Sequence, residues 1–310
     1  MHNNNPIGQS PLTTARLAYG CMRLPGTWEP SEIGATHRAR AKAAVLAAFE
    51  AGYTLFDHAD IYCSGMCEQL FGEIVHDTPS LRQSDFLIAT KCGICFEDEP
   101  PGSPHRYDLS KQHILWSCDQ SLRRLGVETI DIYQLHRPDL LMDTHEVAAA
   151  FDELKRAGKV RYYGVSNCLP SFVSCLQSAL GDALVVNQVE IHLGRLACFY
   201  DGTLDQCQEK RMTPLAWSPL GGGWLGTGGK TQDVRLLAIQ KAVDEMAAKY
   251  GVSRSVLSLA WLLKHPSRII PIVGSCNPAH IKDATKADEV DLSRDDWYRL
   301  LVVARGEKLP

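Results

Sequence analysis

The feature that most constrains the fold of this chain is an alternation repeated eight times. Short apolar runs rich in β-branched and aromatic residues stand at 16–22, 53–57, 85–91, 129–136, 160–166, 184–190, 212–218 and 268–274, each followed by a stretch of helical period. Runs of this length bounded by turn residues read as strands. Between them the spacing changes. Ile114, Cys118, Leu122 and Leu125 share one helical face, as do Val147, Phe151 and Leu154, and Gly158 offers a left-handed stop. Ser110 and Ser253 stand where N-caps are expected.

Strand and helix in alternation imply parallel strands joined by right-handed crossovers, and eight is the number that closes a barrel. The rival is an open doubly wound sheet. No G-x-G-x-x-G follows the first run, which weighs against it. The expected fold is therefore a (β/α)8 TIM barrel with an additional C-terminal helix at 293–304. We expect one domain over 1–310, with 1–15 as a flexible N-terminal segment; 310 residues is long for an average domain but ordinary for such a barrel.

Charge and composition narrow the function classes. The net charge is -4 with acidic and basic residues interspersed, so no electrostatic footprint for nucleic acid or an anionic membrane is present. The sequence has no run of 18 apolar residues, and its start lacks the basic-then-apolar pattern of a signal peptide. A cytoplasmic protein acting on a small molecule is expected. Eleven cysteines scattered among full-sized core segments argue for reduced thiols rather than a disulfide framework.

In such a barrel chemistry sits at the C-terminal ends of the strands. The second run ends at Asp57 with Tyr62 five residues on, the third at Lys91, the fourth at His136 and the fifth at Ser166 and Asn167. The sixth passes through Asn187 and Gln188, and the seventh ends at Trp217. Adjacent strands are about 5 Å apart, so Asp57, Tyr62, Lys91 and His136 can share one pocket wall. A tyrosine of pKa about 10 donates a proton more readily beside a cation, which Lys91 supplies and Asp57 keeps charged. A neutral His136 can donate to a carbonyl oxygen that is gaining charge. By contrast, Asp60 reads as a loop residue bonding nearby backbone, and His58 as packing beneath the site.

The segments "GYTLFDHADIY", "IATKCG", "IYQLHRPD", "GVSN", "NQVE" and "LAWSPLGGG" occur in this order and together resemble the aldo-keto reductase family, over a span from about Leu17 to Ala284. The resemblance implies Tyr62 as general acid, Lys91 and Asp57 as its tuning pair and His136 as the group orienting the carbonyl. It implies Ser166, Asn167 and Gln188 on the cofactor carboxamide, Trp217 stacked on the nicotinamide ring, and Ser218 and Leu220 beside them. Cys21, Met22 and Arg23 would lie near cofactor and substrate. Gly274, Ser275, Asn277 and His280 would take the phosphate end. His280 stands where many members carry an arginine, and Gly274 where some carry a lysine. The implied cofactor is NADP(H) first and NAD(H) second, and the implied reaction is reversible reduction of an aldehyde or ketone. The competing reading is a regulatory protein that binds cofactor on the same fold with little turnover.

Cys63, Cys67, Cys92 and Cys95 follow the tyrosine and the lysine on adjacent strands. Their spacing is compatible with zinc or with a redox pair in which the nearby cation lowers the pKa of Cys92; the simplest reading is four free thiols. Three loops should shape the substrate pocket: 92–108, "RPDLLMD" after His136, and "GGGWLGTGGK". The last is expected to be a mobile loop closing over the cofactor, with Trp224 as a lid or substrate wall.

Overall fold

Eight parallel strands close into a barrel in the computed structural model, which describes residues 5–310. They are β1 (Ala18–Gly20), β2 (Leu55–Asp57), β3 (Leu87–Cys92), β4 (Ile130–Leu135), β5 (Val160–Ser166), β6 (Val186–Glu190), β7 (Thr213–Trp217) and β8 (Ile270–Val273). Each pairs with the next, and β8 returns to β1 with Ile272 opposite Ala18. Every strand lies within its expected run except β3, which extends one residue further to Cys92.

The period of two along each strand sorts side chains between the barrel interior and the helical shell. Leu55, Ala89, Ile132 and Val186 pack together at one level of the interior. Two residues further along the same strands stand Asp57, Lys91, Gln134 and Gln188, all buried. The interior is thus apolar toward the N-terminal end and polar toward the C-terminal end. The alternate residues face outward: Phe56 and Ile88 pack with Phe71 and Ala48, while Tyr133 and Leu135 pack with Ile114, Cys118 and Phe151. Burying each such large side chain contributes about 1.5–3 kcal/mol.

The helices follow the expected faces and caps. Lys111–Leu125 buries Ile114, Cys118, Leu122 and Leu125, and the Ser110 hydroxyl accepts from His113 N–H. Thr144–Arg156 buries Val147, Phe151 and Leu154, and Gly158 after it has φ of +70°. Ser253 caps Arg254–Leu263. The extra helix is Arg294–Arg305, fixed by a stacked pair of indoles, Trp261 and Trp297, 4.9 Å apart and 6° from parallel. Each indole N–H donates to the other residue's carbonyl, at 3.1 and 2.9 Å.

The expectation of a flexible segment over 1–15 is corrected for residues 5–15; residues 1–4 lie outside the described residues. Asn5–Pro6 pairs antiparallel with Thr13–Thr14, and between them Ile7 is fully buried against the apolar level of the barrel interior. The hairpin closes the N-terminal end of the barrel. Gly8 sits at φ +57° with its N–H donating to Thr213 Oγ1 at 2.8 Å, and a Cβ there would come within 2.6 Å of the Val185 carbonyl oxygen. Only glycine fits that approach.

Candidate active site

Lys91 is the centre of the polar level. It is fully buried, and its Nζ donates to Asp57 Oδ2 at 2.8 Å, to the His58 carbonyl at 2.6 Å and to the Tyr62 hydroxyl at 3.2 Å. Thr90 beside it points the other way, into the shell, where its hydroxyl donates to Glu68 Oε1 at 2.5 Å. Glu68 is itself buried and receives Arg124 at 2.7 and 2.8 Å. This second ion pair fastens the outer face of β3 and so supports the inward aim of Lys91.

Asp57 is shared. One oxygen takes Lys91, and the other takes Gln188 Nε2 at 2.7 Å. Burial by itself would lower the Lys91 pKa, but the adjacent Asp57 carboxylate and Tyr62 phenol outweigh it and hold the ammonium above its ordinary value. Gln188, expected to hold a cofactor amide, has one N–H committed to Asp57, which leaves its carbonyl oxygen and second N–H for a partner in the cavity.

A left-handed turn follows Tyr62 directly: Cys63, Ser64 and Gly65 all have positive φ. Burial raises the phenol above its usual pKa, against the downward pull of Lys91. The easing of proton donation expected from the Lys91 cation is thus outweighed by desolvation, and the phenol keeps its proton at neutral pH. His136 stands edge-on to it, ring centroids 5.9 Å apart at 81°. Burial, then Lys91 and Arg137, push the His136 pKa well below its ordinary value, so the ring is neutral. A neutral imidazole next to a protonated phenol offers two hydrogen-bond donors without a net charge.

Both side chains line a cavity of about 670 Å³ at the C-terminal end of the barrel. Asp57 lines it as well, whereas Lys91 is buried behind them, and the wall continues through Ser166, Asn167, Gln188 and Trp217, and then Ser218, Leu220, Gly274, Ser275 and His280. Met22 and Arg23 line it too, whereas Cys21 is buried behind them. The Asn167 amide bridges the site, accepting from Trp217 Nε1 at 2.9 Å and donating to Ser166 Oγ at 2.8 Å. Asn167 and Ser218 have φ of +59° and +48°, a conformation that turns the chain inward at two strand ends. Asn277 is the exception to the expected set: it lies off the cavity wall, where its side chain caps Pro278–Ala284 by accepting from Ala279 N–H at 2.9 Å.

Other expectations change with the structure. Asp60 bonds across 57 residues to Ser117 Oγ at 2.6 Å rather than to nearby backbone alone, and burial raises its carboxyl to about 7. His58 packs beneath the site as expected, against Phe71, and neither ring nitrogen has a hydrogen-bond partner among the described residues. Burial and the Lys91 charge lower its pKa to about 3. Cys92 is fully buried, and its pKa is driven well above, not below, the usual thiol value, because desolvation dominates. Cys63, Cys67, Cys92 and Cys95 are all free thiols.

The glycine-rich loop borders the cavity through Gly222, Gly223 and Gly226 to Gly229, but Trp224 turns away from it. Its indole packs edge-on to His192, and its carbonyl accepts from Gln240 Nε2 at 2.5 Å. Arg254 and Gln240 also hold the Gly229 carbonyl, at 3.0 and 3.2 Å. Wall residues that were not singled out in the sequence include Trp28 and Ile61, whereas Ile94 and Arg137 lie in two of the loops expected to shape the pocket. Arg137 had a signal, since it directly follows His136. Its guanidinium makes no hydrogen bond or ion pair among the described residues and lies 6.0 Å from the centroid of the Trp217 ring.

The residues suit a dinucleotide. One end of the trough offers the Trp217 face and a cluster of amides and hydroxyls. The other offers Gly274, where a Cβ would meet only open space, flanked by Ser275, His280 and Arg23. No helix among the described residues is long and apolar enough to cross a membrane.

The chain is 40% identical to the 6-dehydroglucose reductase of Novosphingobium aromaticivorans over 98% of its own length and 96% of that protein's. It is 36% identical to a 6-dehydroglucose reductase of Agrobacterium fabrum, over 96% and 97% of the two chains. Its fold is that of an aldo/keto reductase from Klebsiella pneumoniae solved with NADP and acetate, with a TM-score of 0.76 and 24% identity over 96% and 93% of the chains. A model described as the Aldo/keto reductase family matches residues 16–303, and this chain is therefore an oxidoreductase of the aldo/keto reductase family.

Proposed function

We propose that this protein reversibly reduces the carbonyl of a hydroxylated aldehyde or ketone to the alcohol, with NADP(H) favoured over NAD(H). The observation that carries this reading is the placement of Lys91 Nζ between Asp57, at 2.8 Å, and Tyr62, at 3.2 Å, with a neutral His136 edge-on to the phenol. Tyr62 and His136 would hold the carbonyl oxygen between two donors. As negative charge grows on that oxygen, the phenol passes its proton to it, and Lys91 stabilises the phenolate left behind. In the reverse direction that phenolate takes the proton back from the alcohol.

Bound NADP(H) would supply or accept the hydride. The chain's own part is to orient it: the Trp217 face offers an apolar platform, and Asn167 with Ser166 and the Gln188 carbonyl offers partners for an amide. Arg23 and His280 border the far end, where a phosphate would lie. Arg137, which has no carboxylate partner among the described residues, supports a substrate bearing oxygen acceptors a few atoms from the carbonyl. The 6-dehydroglucose reductase relatives, named for a sugar-derived carbonyl compound, agree with that class.

Steady-state assays with a panel of sugar-derived and simple aldehydes, each with NADPH and NADH, test the proposal. Tyr62→Phe should lower kcat/KM by at least about a hundredfold, the usual scale of general acid catalysis. Cofactor binding, followed by quenching of tryptophan fluorescence, should persist. Full activity in that variant would sink the proposal, and an inert wild type that binds cofactor would favour the regulatory reading.

A further inference from the structure

We propose that Cys95, Asp108 and His113 form a binding site for a zinc-like divalent cation, outside the catalytic cavity. The three come together for reasons of topology. Ile94–Cys95 and Arg106–Tyr107 form an antiparallel hairpin in the loop after β3, with Cys95 opposite Arg106. Asp108 N–H extends that ladder by donating to the Gly93 carbonyl at 3.0 Å. Side chains alternate between the two faces, so Cys95, Arg106 and Asp108 share one. The helix Lys111–Leu125 begins just beyond, and its capping residue Ser110 accepts from His113 N–H at 3.3 Å, which fixes His113 in the first turn facing the hairpin.

One sulfur, one carboxylate oxygen and one imidazole nitrogen therefore lie within 4.8 Å of one another, and Cys95 Sγ is 3.8 Å from His113 Nε2. Tetrahedral zinc with bonds of about 2.0–2.3 Å separates its ligands by about 3.3–3.8 Å. The sulfur and nitrogen already stand near that spacing, and the carboxylate needs a shift of about an ångström. A mixed sulfur, nitrogen and oxygen set suits zinc or cobalt better than the hard cations. Cys95 is 4% exposed while Asp108 and His113 are partly open, which leaves an approach for the ion and room for water as a fourth ligand.

The charges balance. Binding displaces the thiol proton to solvent, and thiolate plus carboxylate neutralise the divalent ion. One Asp108 oxygen accepts from Ser110 N–H at 3.1 Å, and the other is only loosely paired with Arg106, at 3.7 Å. Arg106 has alternatives: its Nη1 already donates to the Glu99 carbonyl at 2.5 Å. Cys63, Cys67 and Cys92 take no part, since among the described residues no other trio of potential ligands draws as close. A bound ion would pin the hairpin to the helix, and because Ile94 beside Cys95 lines the cavity, it would stiffen one wall of the substrate site. The site does not depend on the carbonyl-reduction reading.

The test uses reduced, metal-stripped full-length protein carrying Cys175→Ser, which removes the exposed thiol. Cobalt(II) titration should give a thiolate-to-metal absorption band that saturates at one ion per chain and is displaced by zinc. Zinc should also raise the thermal midpoint. Cys95→Ser should abolish the band, and His113→Asn and Asp108→Asn should each weaken binding at least about tenfold. The absence of a saturable band in the parent, or an undiminished one in Cys95→Ser, overturns the site. Should Cys95→Ser fail to fold, unchanged affinity in both His113→Asn and Asp108→Asn overturns it equally.

Discussion

Arg137 is a cation on the cavity wall whose only close partner among the described residues is an aromatic face, that of Trp217. A guanidinium left without a carboxylate is available to a ligand's oxygen atoms. Arg137→Ala should raise KM for a hydroxylated aldehyde roughly tenfold, with kcat changed less, because the contact is remote from the bond being formed. The same variant should treat an unsubstituted aliphatic aldehyde much as the wild type does. Equal losses for both substrates, measured as kcat/KM, would refute a role in substrate recognition. Lys91 makes the complementary point: it stays charged although fully buried because Asp57, Tyr62 and the His58 carbonyl surround it. Its charge is thus useful to Tyr62 without being open to solvent.

At the scale of elements, the N-terminal hairpin separates what the sequence made legible from what it did not. Gly8→Ala should destabilise the protein by about 1–3 kcal/mol, combining a positive φ with a Cβ pressed against the Val185 carbonyl. Urea unfolding measures it, and a neutral result would mean that 5–15 is the loose tail its composition suggests. The eight strands were readable because period-two patterns and flanking turns are local properties, and Asp57, Lys91 and His136 were readable as polar interruptions of apolar runs. The hairpin at 5–14 was not, because its strands are two residues each and their burial comes entirely from the barrel they close. Asp60 and Ser117 are 57 residues apart, and Trp224 turns toward His192 rather than the cavity; no local pattern encodes either contact. Burial sets the direction of the Tyr62 shift, and it removes the redox alternative for Cys92, for one shared reason. A neighbouring lysine is visible in the sequence, whereas the depth of burial that outweighs it is a property of the closed barrel.

The whole molecule stores this chemistry as a dependence of stability on pH. His58 and His136 have folded-state pKa values below the unfolded value of about 6.5, the former at about 3. The unfolded chain therefore binds protons that the folded chain refuses, and stability falls as pH drops from about 6.5 toward 3. His58 contributes a slope of about 1.4 kcal/mol per pH unit across that window, and His136 acts in the same direction. Asp60 acts in the opposite sense. With a folded pKa of about 7, it keeps a proton that the unfolded chain releases above about 4, so its contribution declines as pH rises from about 4 to 7. Burial lowers His113, His192 and His265 in the same direction as His58 and His136 and raises Asp131 in the same direction as Asp60, so histidines outnumber aspartates and a net loss of stability is expected as pH falls below about 6.5. His58→Phe isolates one part of it, because the ring packs on Phe71 and makes no hydrogen bond to lose. The substitution adds a packing cost that is the same at every pH, so the slope rather than the absolute stability is diagnostic. Urea unfolding at half-unit steps between pH 7 and 4 should show wild type falling more steeply than His58→Phe by about 1.4 kcal/mol per unit. Parallel curves would mean that the buried His58 does not resist protonation in the folded barrel, and that the acid limb belongs to other groups.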